Sequence, residues 1–297
     1  MTDAATFRLA VAVATRGRPT ILAQTLGELA RQTRLPDRVL VCGTGPGDVG
    51  ASLGGGALPD GTEVLFALPG LPRQRNAILD RLDDCDAVLF LDDDFLMTPR
   101  YIEATVAALT GHPDLVVTTG TLIADDARGP GLAFEAGQAL IAADGAYDGG
   151  LDPAQHGYGC NMAVRLDPVR RHNERFDERL PLYAWSEDID FTHRMARHGW
   201  IAKLRGARGV HLGTKAGRTP GRRLGYSQVA NPVYLFQKGS YSFGRAARSV
   251  GRNLAMNAAK ALRPEPYVDR RGRLRGNGLA LLDMLRGRLT PERILDL

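Results

Sequence analysis

The run Asp86-Ala87-Val88-Leu89-Phe90-Leu91-Asp92-Asp93-Asp94-Phe95 sets the reading of the whole chain. An apolar run without helical period, about 4–8 residues long, marks a strand buried on both faces, as in a parallel sheet. Here it ends in three consecutive carboxylates. Neighbouring like charges raise one another's pKa and cost energy unless a positive charge sits among them. A divalent cation, held by hard oxygen ligands and shared with substrate phosphates, supplies such a charge. The plain alternative is a solvated acidic turn, where runs of acids ordinarily belong.

Upstream, Phe7 to Ala14 reads as a first strand and Arg38-Val39-Leu40-Val41-Cys42 as a second. Between them, Thr15-Arg16-Gly17-Arg18-Pro19 is a turn rich in breakers. Thr20 is placed to N-cap a helix with Ile21, Leu22, Leu26 and Leu29 on one face. This strand–helix–strand order predicts a parallel sheet with right-handed crossovers. Gly45-Pro46-Gly47-Asp48-Val49-Gly50 matches a dinucleotide-binding fingerprint, which requires a helix to open at once. The Gly-rich sequence 51–61 cannot support one, so a flexible loop is expected. Glu63 to Ala67 is a short third strand. Pro69-Gly70-Leu71-Pro72 then leads into an amphipathic helix from Arg73 to Leu82. Arg73 and Arg75 at its start oppose the helix dipole, so they either serve a bound phosphate or simply face water.

Downstream come Pro99, a helix from Tyr101 to Leu109 and a strand from Leu115 to Ile123. Residues 124–157, rich in Gly, Asp and Ala, are expected to form an irregular insertion lining the site. Gly157 to Val164 is a glycine-marked turn into a strand. In Trp185-Ser186-Glu187-Asp188-Ile189-Asp190-Phe191, Ser186 suits an N-cap and the acids suit the first turn of a helix. Those two effects alone account for Glu187 and Asp188, yet a Trp beside a carboxylate also suits a general base set against a sugar face. Trp200 to Leu204 is expected as a late edge strand. His211 falls in a glycine-flanked loop, where a lone His is more often structural than a ligand.

No stretch of about 18 apolar residues is present, so no transmembrane helix is indicated. The N-terminal residues lack the basic-then-apolar pattern of a signal peptide. Cys42, Cys85 and Cys160 are odd in number and widely spaced, which fits reduced thiols in a cytoplasmic protein. Charge is distributed unevenly. From Lys203 onward there are 20 Lys and Arg against 5 Asp and Glu, whereas the preceding residues hold 18 against 28. An acidic body with a basic tail suggests an anionic partner near the tail: nucleic acid, lipid head groups or a pyrophosphate. Arg245, Arg248 and Arg252 recur at helical spacing among Phe243, Ala247, Val250, Leu254 and Met256. That pattern suits a helix on an anionic membrane, or one docked on the protein's own acidic body.

Five of these segments, in order, resemble the family 2 glycosyltransferases, inverting enzymes of the GT-A fold. They are the Thr15–Pro19 turn, Arg75-Asn76, Leu91-Asp92-Asp93-Asp94 with Pro99, Gly159-Cys160-Asn161-Met162, and Glu187-Asp188-Ile189-Asp190-Phe191 with Arg194. The likeness spans about residues 7–213. It implies a Rossmann-like α/β architecture, a mixed, mainly parallel sheet flanked by helices. The catalytic domain would cover 1–225, with a nucleotide-binding half to about residue 98 and an acceptor half from about 99, followed by a basic, mainly helical extension over 226–297.

The resemblance also implies roles. Asp94 would bind Mg²⁺ or Mn²⁺ bridging the donor diphosphate, and Asp92 or Asp93 would reach the ribose or the metal's water shell. His211 would be a further metal ligand. Thr15, Arg16, Arg73, Arg75 and Asn76 would line the nucleotide sugar. Asp188 would be the general base, Glu187 would orient it or bind the acceptor, and Asn161 and Trp185 would meet the acceptor. The expected partners are a UDP-, GDP- or dTDP-linked sugar and a glycan or lipid-linked acceptor, with an anionic inner membrane face near the tail and no nucleic acid. One departure stands out: family members carry an acid after the second strand to read the base, and here Val41 is followed by Cys42-Gly43-Thr44-Gly45. The donor base is therefore left open. Two rival readings are a Mg-dependent aspartyl phosphohydrolase, which also ends a strand in Asp-x-Asp, and a non-catalytic sugar-binding module in which Asp188 is only a cap.

Overall fold

The computed structural model describes residues 6–50, 59, 61–145 and 149–297. The expected flexible loop therefore lies mostly outside the described residues. The chain divides into two compact units, one of residues up to 68, 74–175 and 191–217, the other of 69–73, 176–190 and 218–297.

The first unit is built on a nine-stranded sheet. Its strands are β1 (Leu9–Ala14), β2 (Arg38–Gly43), β3 (Glu63–Phe66), β4 (Ala87–Asp92), β5 (Phe95–Met97), β6 (Leu115–Asp125), β7 (Leu151–Pro153), β8 (Asn161–Arg165) and β9 (Trp200–His211). Their order is β3-β2-β1-β4-β8-β6-β9-β5, with β7 paired to β9. The β3-β2-β1-β4 block is parallel, and β8 runs antiparallel between β4 and β6. Continuous apolar sequence in β1 and β4 follows from burial on both faces: Leu9 to Val13 and Ala87 to Phe90 are essentially inaccessible. Helices α1 (Pro19–Gly27) and α4 (Tyr101–Gly111) bury Leu22, Leu26, Ile102, Val106 and Leu109 in the same core as these strands.

Several local expectations are corrected. Pro19, not Thr20, opens α1, because a proline at the first turn loses no hydrogen bond; Arg18 holds the N-cap position without a side-chain bond. The fingerprint-like segment does contain a helix, but only the single turn α2 (Pro46–Val49). Helix α3 runs Leu71–Leu79, two residues earlier than expected, so Arg73 and Arg75 are not at its first turn's opening. The insertion is less irregular than expected: it holds the end of β6, helix α5 (Phe134–Ala143) and β7.

The largest correction concerns β9. It is one twelve-residue strand with partners on both sides, not an edge strand followed by a loop, and His211 is its last residue. Gly209 is required here, since a Cβ at that position would lie 2.4 Å from the Phe95 ring and 2.5 Å from the Leu96 carbonyl oxygen. Helices α6 (Leu166–Arg171) and α7 (Glu187–Met195) follow β8 in the chain.

The second unit gathers α8 (Gly221–Lys238), α9 (Phe243–Lys260) and α10 (Arg270–Leu285). The basic tail is thus helical, as the spacing of its arginines suggested. Gly239 closes α8 in the left-handed conformation, Ser242 caps α9 and Asp269 caps α10. Tyr226, Val229, Ala230, Ala280 and Ile294 form its core. A buried amide chain specifies how the helices meet. The Asn257 side chain donates to Gln228 (2.9 Å) and to Asn277 (2.8 Å), and Asn277 donates to the Gly225 carbonyl (2.7 Å).

Candidate functional site

The strand registers of the first unit bring distant residues to one point. Ala14 pairs with Asp92, which sets Thr15 beside Asp93. Phe95 pairs with His211 across β5 and β9, which brings His211 to the acid run. Asp125 pairs with His211 across β6 and β9. The second register holds only because β6 and β9 slip past one another at three irregularities.

The result is a group of Asp92, Asp94 and His211 whose ligand atoms lie within 4.8 Å of one another. His211 Nε2 is 3.4 Å from Asp94 Oδ1 and 3.7 Å from Asp92 Oδ2. On the far side of the ring, His211 Nδ1 is 2.9 Å from Asp125 Oδ1. Tyr158 donates to the other Asp125 oxygen (3.1 Å), and the Ala127 amide donates to Oδ1 (3.1 Å). An Nδ1 proton committed to a carboxylate leaves Nε2 facing the acids, the arrangement of a metal-binding histidine.

A divalent cation fits these residues. Among the described residues Asp94 Oδ1, which is buried, has no hydrogen-bond partner, while its Oδ2 accepts from the Thr214 amide at 2.6 Å. One oxygen is thus fixed by the backbone and the other is held for something else. Two carboxylates suit Mg²⁺ or Mn²⁺ through oxygen, and the imidazole adds a single nitrogen donor. Electrostatics in the protein alone agree with a site awaiting positive charge. Burial would raise the Asp94 pKa, but His211 close beside it and the charge of Arg18 hold it at about 2. Burial would lower that of His211, yet Asp125, Asp94 and Asp92 push it up to about 10.

Asp93 is turned elsewhere. It accepts from the Thr15 hydroxyl (2.7 Å) and from Arg18 Nη1 (2.8 Å), and its burial outweighs Arg18, pushing its pKa to about 6. Arg18 also donates to the carbonyls of Thr214 (3.1 Å) and Ala216 (2.7 Å), tying the segment after β9 to the acid run. Arg75 is 1% exposed. Its guanidinium donates to the Gly159 carbonyl (2.6 Å) and lies 3.8 Å from Asp92. The enclosed guanidinium is thus held beside Asp92. Asn76 is buried beside it in α3, and Arg16 is exposed in the β1–α1 turn. The Asn161 amide is fully buried: it accepts from Thr119 (2.7 Å) and donates to Gly120 (3.4 Å), so it is turned into the sheet.

Comparison with known proteins adds the architecture. No family model matches the chain, and no curated protein matches it in sequence. Among solved structures, S. aureus TarS 1-349 in complex with UDP-GlcNAc superposes with a TM-score of 0.58 at 15% identity, over 97% of this chain and 83% of that one. GalNAc-T7 with UDP, GalNAc and Mn²⁺ gives a TM-score of 0.58 at 11% identity, over 99% of this chain and 57% of that one. The fold is GT-A. Within this GT-A sheet, the sequence reading had selected Thr15, Asp92, Asp93, Asp94 and His211, and the registers bring all five together. It missed Arg18, Asp125 and Tyr158. Arg18 was legible in principle, as a cation in the turn beside the acid strand. Asp125 and Tyr158 were not, because only strand register reveals them.

In the second unit, Glu187 is buried and its amide donates to the Ala184 carbonyl (2.9 Å). Asp190 is fully buried and bound to Lys238 (2.8 Å) and to the Ser240 hydroxyl. Lys238 also bonds Asp177 (2.6 Å). Asp188 is half-buried, with one oxygen 2.8 Å from the Ile189 amide. Of the three acids, Asp190 is spent on structure and Asp188 is the more open of the other two. Arg73 lies 3.5 Å from Glu178 in the same unit. Trp185 is half-buried and its carbonyl accepts from Asn231 (3.1 Å).

Proposed function

We propose that this protein is a glycosyltransferase that moves a sugar from a nucleoside-diphosphate donor to a glycan or lipid-linked glycan, with inversion at the anomeric carbon. The observation that carries the reading is the Asp92, Asp94 and His211 group at the sheet position where β4 meets β5, within a GT-A fold. The neighbours TarS and GalNAc-T7 were solved with UDP-GlcNAc and with UDP, GalNAc and Mn²⁺, which favours a nucleotide sugar as the donor class here.

In this account Asp92, Asp94 and His211 would hold Mg²⁺ or Mn²⁺. Once bound, the cation supplies Lewis-acid charge for the departing nucleoside diphosphate. The chain's own residues do the rest. Asp125 fixes the His211 ring. Arg75 fixes Asp92. Arg18 and Thr15 hold Asp93 toward the donor's nucleoside side, and exposed Arg16 faces its phosphates. Asp188 takes the proton from the acceptor hydroxyl as that oxygen attacks, and Glu187 orients it. The nucleotide-binding and acceptor halves, over about 1–98 and 99–225, divide the work, and the basic extension over 226–297 holds the enzyme on the inner, anionic face of a membrane.

The test is a thermal-stability screen of UDP-, GDP- and dTDP-sugars with Mg²⁺, with Mn²⁺ and with chelator. A true donor stabilises the folded state by mass action, and the rise in Tm should require the metal. A screen in which no nucleotide sugar raises Tm in either metal would overturn the reading.

A further inference from the structure

The segment just before Asp188 has a backbone that sequence alone does not explain. Leu182, Ala184 and Ser186 adopt φ of 57°, 52° and 72°. Left-handed backbone is costly for any residue with a Cβ, and three alternate positions bear that cost within five residues. Strain of this kind persists only where surroundings over-determine it, and it gathers at functional sites.

The surroundings here do so. The Leu182 carbonyl accepts from the Leu71 amide (2.8 Å), Ala184 N donates to the Pro181 carbonyl (3.0 Å), and the Trp185 carbonyl is held by Asn231. Ala184 is packed with Leu180, Leu235, Tyr241 and Ala246, while Leu182 packs on the α8–α10 core. Ala184 is thereby buried and Leu182 and Ser186 are half-buried, while Tyr183 is left exposed beside the half-buried Trp185. Tyr183 is 56% exposed, and its ring centroid lies 6.3 Å from that of Trp185, at a tilt of 45°.

Two tilted rings at that spacing offer more surface than one pyranose covers. Tyr and Trp each combine an apolar face with a polar tip, which matches a sugar ring with its C–H face and rim of hydroxyls. A lipid tail would gain nothing from the tips. We propose that Tyr183 and Trp185 form a two-ring stacking platform for an acceptor glycan of two or more contiguous pyranose rings, with Tyr183 setting the length preference. This deepens the transferase reading and rests on it.

The sequence contains two tryptophans, Trp185 and Trp200, so Trp200→Phe leaves Trp185 as the only indole reporter. Full-length protein is first applied to a printed glycan array. The best-retained glycans and their one-ring fragments are then titrated against the Trp200→Phe protein by fluorescence. Glycans of two or more rings are expected to be retained and to perturb Trp185 emission. Tyr183→Ala should weaken them roughly tenfold while barely changing single sugars, and Tyr183→Phe, which keeps the ring face but not the hydroxyl, should restore them only in part. Retention of no multi-ring glycan, or unchanged affinity in Tyr183→Ala, would overturn the proposal. The two readings fail separately: if glycans bind at Trp185 but no nucleotide sugar raises Tm, the transferase account falls and the platform stands.

Discussion

Asp125 Oδ1 lies 2.9 Å from His211 Nδ1, joining residues 86 positions apart at the ends of two neighbouring strands. The contact fixes which nitrogen of His211 faces Asp92 and Asp94. In the proposed cation site Asp125 would therefore be a positioning residue that does not itself enter it.

Asp125→Asn should weaken Mn²⁺ binding by roughly 10–100-fold, the usual cost of losing a carboxylate behind a ligating histidine. Calorimetric titration of Mn²⁺ into the protein checks this without any substrate. Equal affinity in the variant and the wild type would show that Asp125 merely packs against the ring.

Asp188→Asn removes a proton acceptor while keeping size and hydrogen bonding nearly unchanged. Sugar transfer should fall by roughly 10²–10⁴-fold, the range for loss of a general base. Stabilisation by donor plus metal should not change, because donor contacts are assigned to other residues. Wild-type transfer by the variant would remove Asp188 from the mechanism and leave it a helix-end acid.

Gly276→Ala tests the architecture of the basic helices. A Cβ there would lie 2.0 Å from the Arg222 carbonyl oxygen and 2.7 Å from the Tyr226 amide nitrogen, so α8 and α10 would be forced apart. The Asn277 bond to Gly225 would loosen with them. A loss of about 3 kcal/mol is expected, at the upper end of overpacking penalties, measured by urea unfolding. Wild-type stability would mean that the helices pack less closely than described.

The parts of this molecule legible in its sequence are those governed by local pattern. β4 and its acids could be read because a strand buried on both faces is apolar throughout, and acids at its end have no packing reason to be there. Asp94 stood out as a candidate ligand for the same reason. His211 was harder: Gly209 and Gly213 beside it look like a loop, yet Gly209 is there because Phe95 crosses above it within a continuous strand. Asp125 could not be read at all, since its place opposite His211 depends on three register shifts. Arg75 was a candidate phosphate cation because a positive charge at a helix start opposes the dipole; its burial against Gly159 and Asp92 is a tertiary fact. Trp185 was visible as an aromatic beside an acid, but the left-handed backbone that displays Tyr183 with it is not encoded by any glycine.

The most direct measurement is the rate of nucleoside diphosphate release from the donor that the stability screen selects, in wild type and in Asp94→Ala, with Mn²⁺ and with chelator. Wild type should turn over only with metal, and Asp94→Ala should lose at least about 100-fold and no longer respond to Mn²⁺, as expected when a charge-stabilising contact to the leaving group is removed. Equal, metal-independent release by both proteins would contradict the assignment of Asp92, Asp94 and His211 as the cation site of a sugar transferase.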